Sequence, residues 1–176
     1  MEFCGKEINS SNRSFFGAIQ AIGDSGLEGE AGPFIAWLLS SSYQPPKDDL
    51  YFIVTTHRAF IYNMTVWTGK IKPDSKLTLM KDEIAQINIS ELSYRHQTGA
   101  VWNDYAMFTF IFVMKDGKRY ERYLNLGKNE SEINEKLPGV VKSIELLMKL
   151  FPVEFGKSRS GAGGYTAGVW LPFPNN

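Results

Sequence analysis

Residues 106–126 read AMFTFIFVMKDGKRYERYLNL, and this stretch decides the fold class. Phe108, Phe110, Phe112 and Met114 alternate with Thr109, Ile111 and Val113. A period of two puts each set on its own face of an extended strand. Asp116-Gly117 then interrupts the run. Both residue types suit the positive φ of a tight hairpin turn, so a return strand over Tyr120–Leu126 is expected. The aromatic content, 12 Phe, 8 Tyr and 4 Trp in 176 residues, favours strands in the rest of the chain as well.

Working outward, Phe34–Leu39, Leu50–Thr56, Ala59–Met64 and Leu77–Met80 read as further strands, with Thr56, His57 and Arg58 at a turn. Residues 83–92 continue the pattern after a bend near Ile84. Residues 94–104 are polar and irregular, though they carry Val101 and Trp102. After Gly127 the period changes. Ile133, Leu137, Val140, Val141, Ile144, Leu147, Met148 and Phe151 recur at three- and four-residue steps, the stripe of an amphipathic helix. Asn129 followed by Glu132 resembles a capping box, and Pro138 either kinks the helix or starts it. An N-terminal helix is expected over Ser14–Ile22, where Phe15, Phe16, Ile19 and Ile22 share a face. The chain therefore divides into an N-terminal helical extension and hinge (1–26), a main domain (27–153) and a glycine-rich tail with an aromatic end (154–176).

Composition excludes several classes. Nineteen Lys plus Arg balance nineteen Asp plus Glu, so no broad basic field exists and no nucleic-acid partner is expected. Cys4 is the single cysteine, which rules out an intrachain disulfide and a multi-thiolate zinc site; His57 and His96 are the only histidines. The sequence predicts no secretory signal and no transmembrane segment, which fits a cytoplasmic location. No phosphate loop, dinucleotide fingerprint, nucleophile elbow or zinc-protease motif occurs, so no enzyme activity, cofactor or metal is expected. Asp48-Asp49 and Asp82-Glu83 are adjacent carboxylates, and neighbours in a strand face opposite ways.

Three segments carry a family likeness. LYFIVTTHRAFIY (50–62) has a strand, a Thr-x-x-Arg turn and a strand. LMKDEIAQINI (79–89) steps from one strand into the next. FIFVMKDGKRY (110–120) is a late hairpin followed by a helix. Together they resemble a pleckstrin-homology-like (PH-like) domain of the bacterial or GRAM-like kind, over residues 27–153. The resemblance implies a mainly β fold with α: a bent antiparallel sheet or barrel of about seven strands, closed by the C-terminal helix. It also implies a non-enzymatic interaction module, protein-binding or self-associating. The alternative is a peripheral module for anionic lipid head groups, with His57 and Arg58 at the first hairpin turn and Lys115, Lys118, Arg119 and Arg122 around the late one. Asp48 and Asp49 would oppose a phosphate there. Trp170 and Phe173 in the tail are candidate docking residues for a protein partner.

Overall fold

A computed structural model describes residues 35–40, 48–65, 77–98, 100–157 and 159–160. The expected N-terminal helix and the tail residues Trp170 and Phe173 lie outside them. The described chain is mainly β with one helix. Its strands are β1 (Ile35–Ser40), β2 (Asp48–Val54), β3 (Arg58–Thr65), β4 (Leu77–Met80), β5 (Ile84–Thr98), β6 (Val101–Met114) and β7 (Arg119–Gly127). Helix α1 (Glu130–Leu150) follows, then the short strands β8 (Val153–Phe155) and β9 (Arg159–Ser160).

The strand order is β4-β3-β2-β1-β7-β6-β5-β8, with β9 also on β5. Strands β1 to β4 form successive antiparallel pairs, and so do β5 to β7. The two groups join where Ser40 of β1 meets Tyr123 of β7. Among the described residues the path stays open, with no closed barrel. Strands β8 and β9 run parallel to β5, so 153–155 and 159–160 pair with the sheet just where a glycine-rich tail is expected to begin. Backbone bonds from Ile87 to the Pro152 carbonyl and from Gly156 to the Ile89 carbonyl fix that exit (both 2.8 Å).

The alternation in β6 positions the core. Phe108, Phe110 and Phe112 are wholly buried, in rows with Ile87 and Ile89 of β5 and Leu124 of β7. Val54, Ala59, Ile61 and Leu79 extend this core through β2 to β4. Val140, Ile144, Leu147 and Phe151 close it from α1 and its C-terminus. Burying those four side chains contributes on the order of 6–12 kcal/mol, an upper figure because unfolded chains already bury some surface. The opposite face of β6 is less fully covered. Thr109 is buried, Ile111 and Val113 are half-buried, and Met107 joins Leu92, Tyr105 and Tyr123 in a second cluster. The Lys128 ammonium lies 5.7 Å from the centre of the Tyr105 ring.

Helix α1 is continuous through Pro138, which sits inside it and is exposed. Proline cannot donate to the carbonyl four residues back, and Asn134, the residue concerned, is exposed where water can serve. The Asn129 side chain caps the helix by accepting from the Glu132 amide at 3.0 Å. Glu132 in turn accepts from the Lys128 amide at 3.0 Å, one residue earlier than in the standard capping box.

Two expectations need correction. Asp116 does not take a positive φ; among the described residues only Gly117 (+85°) and Gly127 (+143°) do. The Gly117 amide donates to the Met114 carbonyl and the Met114 amide to the Lys118 carbonyl (both 2.9 Å). This is a three-residue hairpin loop, in which only its last position needs the left-handed region. Residues 94–98 and 101–104 are not irregular either: they belong to β5 and β6, which pair in register from Tyr94↔Tyr105 to Thr98↔Val101. No other described strand flanks those five pairs. A cross-strand ion pair braces this arm. Arg95 Nε and Nη2 donate to the two Asp104 carboxylate oxygens at 2.7 and 3.2 Å. The Arg95 guanidinium holds the Asp104 carboxyl below its ordinary value.

Candidate binding cleft

Three turns meet at one end of the sheet. The β2–β3 turn spans residues 55–57, a 3-10 turn (Lys81–Glu83) leads from β4 to β5, and the β6–β7 hairpin turn spans 115–118. Two backbone bonds lace them together: the Lys81 amide donates to the His57 carbonyl and the Lys115 amide to the Glu83 carbonyl (both 2.8 Å).

Thr55 gives the Thr-x-x-Arg turn its shape. It is 1% exposed, and its Oγ1 accepts from the His57 and Arg58 amides at 3.3 and 3.2 Å. The same hydroxyl donates to the Arg58 carbonyl at 3.2 Å. Such side-chain-to-backbone bonds replace the bonds that a tight turn cannot make. Replacing Thr55 with valine keeps the volume and leaves two amides without this acceptor. The expected loss is about 1–3 kcal/mol in denaturant unfolding. An unchanged midpoint would assign the turn to its backbone bonds alone. His57 is exposed, with Nδ1 2.8 Å from Thr56 Oγ1, and Arg58 is half-buried at the start of β3.

Between the 3-10 turn and the hairpin lies a cleft of about 320 Å³. Leu79, Met114 and Tyr120 form the apolar part of its lining, beside Thr78. Asp82, Glu83 and Asp116 also line it, as do Lys115 and Lys118. Lys118 is already engaged, with Nζ 2.7 Å from Asp116 Oδ2 and its amide donating to Asp116 Oδ1 at 3.0 Å. Lys118 accordingly holds the Asp116 carboxyl below its ordinary value, and Asp116 raises the Lys118 ammonium above its own. The three carboxylates outnumber the two cations by one.

The four hairpin cations therefore do not form one patch. Lys115 and Lys118 line the cleft. Arg119 and Tyr120 are neighbours on β7, so they face opposite sides of the sheet. Arg122 sits on the core face, opposite Phe110, with Nη1 donating to the Glu121 carbonyl at 2.7 Å. Its Nε is buried without a hydrogen-bond partner, and burial pulls the guanidinium below its ordinary value. In sequence Asp82 and Glu83 are paired by adjacency only, and adjacent residues of a strand face opposite ways. On a 3-10 turn both line one cleft. Among the described residues no group of three or more His, Cys, Asp or Glu is placed to hold a metal ion, and no helix is long and apolar enough to cross a membrane.

No protein-family model matches the chain, and a search of curated proteins finds no match. Among solved structures it is similar to the hSac2 domain from human phosphoinositide phosphatase Sac2, at 10% identity and a TM-score of 0.51. The alignment covers 97% of this chain and 99% of that one. At that identity the likeness concerns the fold alone.

Proposed function

We propose that the chain is a non-enzymatic, PH-like interaction module that binds protein or associates with itself. The strand order supports the PH-like part: two antiparallel groups joined through β1 and β7, followed by one helix that completes the core. The balance of charge in the cleft carries the choice of partner. A phosphate group entering it would meet Asp82, Glu83 and Asp116, while Lys118 is held by Asp116 and Arg119 and Arg122 lie elsewhere. All five charged side chains are exposed, so this repulsion is screened and weakens as salt rises, but its sign opposes a phosphate.

The solved hSac2 domain belongs to a phosphoinositide phosphatase, which favours a second reading, peripheral binding of anionic lipid head groups. Equilibrium sedimentation of the full chain, with cross-linking capture from lysate, tests the first reading. Concentration-dependent dimers, or a protein captured specifically and reproducibly, support it. A chain that stays monomeric and captures nothing above background overturns it.

A further inference from the structure

We propose that the cleft, together with the outer edge of β4, receives an extended partner segment carrying lysine or arginine. This rests on the protein-binding reading and names the chemistry of the partner. Strand β4 begins the strand order, so among the described residues its outer edge has no neighbouring strand. An open edge presents the backbone donors and acceptors that an added strand uses. β4 runs directly into the 3-10 turn, and its Thr78 and Leu79 line the cleft, so a segment laid along β4 passes the cleft mouth.

Charge then selects the segment. Asp82 and Glu83 are exposed and have no ion-pair partner among the described residues, whereas Asp116 is shared with Lys118. Within the lining Lys115 and Lys118 face three carboxylates, and Lys118, held by Asp116, also feels Glu83; Lys81 is exposed on the same turn but does not line the cleft. A lysine or arginine can lay its methylenes along the half-buried Thr78 and Tyr120 and its charge near the Asp82 and Glu83 carboxylates. The Tyr120 ring adds a cation–π surface. Met80, 37% exposed, offers an apolar contact to an alternate side chain of the same segment.

The test uses the full chain and two labelled heptapeptides of alternating valine with either arginine or glutamate. Anisotropy is expected to show saturable, salt-sensitive binding of the arginine peptide only. Amide shifts in heteronuclear NMR should cluster over 78–83 and 115–118. The double variant Asp82→Asn, Glu83→Gln should unfold at the same temperature as the parent yet bind at least about threefold more weakly, the scale of two exposed ion pairs. Equal binding of the glutamate peptide, indifference to the double variant, or no saturable binding of either peptide would overturn the proposal. Shifts mapping elsewhere would overturn the cleft assignment and leave protein binding, tested separately by sedimentation and capture, intact.

Discussion

Replacing Phe110 with alanine is expected to destabilise the fold by about 3–5 kcal/mol, the range for a fully buried phenylalanine whose cavity only partly collapses. Phe110 is 0% exposed and stands in the central row of the sheet, between Ile89 on β5 and Arg122 on β7. Its neighbours on the same face, Phe108 and Phe112, are equally buried, so no adjacent side chain has free surface to move into the gap. The same loss would leave the half-buried Arg122 beside a cavity rather than a ring. A domain stable by about 5–15 kcal/mol would lose much of its margin. Urea unfolding of the full chain measures the change. The contrasting substitution is Val113→Ala on the half-buried opposite face, expected to cost less. Equal losses at 110 and 113 would contradict the assignment of the core face.

Gly127→Ala is expected to cost about 2–4 kcal/mol, from strain and overpacking together. Gly127 ends β7 at φ +143°, a backbone region that side chains disfavour. A methyl group there would also stand 2.5 Å from both Cβ and Oε2 of Glu132. Glu132 cannot retreat without releasing the Lys128 amide that it accepts from at the start of α1. The strain therefore reaches the junction between the sheet and the helix that completes its core. Gly117→Ala provides the comparison. It also has a positive φ, but an added Cβ there meets nothing within 4 Å. A loss at 127 no greater than at 117 would show that the Glu132 contact is easily relieved.

Periodicity made the centre of the fold legible. The two-residue alternation of Phe108–Met114 and the helical stripe from Ile133 to Phe151 are imposed by the core, so each shows in the residues themselves. The arm of β5 and β6 beyond Ser93 was less legible: its residues do not alternate apolar with polar, and Arg95 and Asp104 meet only once the register is set. Strand β8 is three residues long and β9 two, too short for any period. The cleft was legible only in part. Lys115 and Lys118 stand out as a basic group, but their relation to Asp82 and Glu83 depends on a backbone bond between residues 32 positions apart. Thr55 shows a similar limit. The Thr-x-x-Arg pattern marks the turn, and the structure adds that the threonine hydroxyl holds it.

Co-flotation with vesicles tests the central claim, a protein-binding module rather than an anionic-lipid one, most directly. The full chain would be mixed with neutral vesicles and with vesicles containing phosphatidylserine and phosphoinositide, at physiological salt. The charge balance around the cleft predicts that the chain stays with the soluble fraction in both. Flotation with the anionic vesicles alone, abolished by replacing Lys115 and Lys118 with glutamine, would contradict that account and assign the same hairpin to lipid head groups.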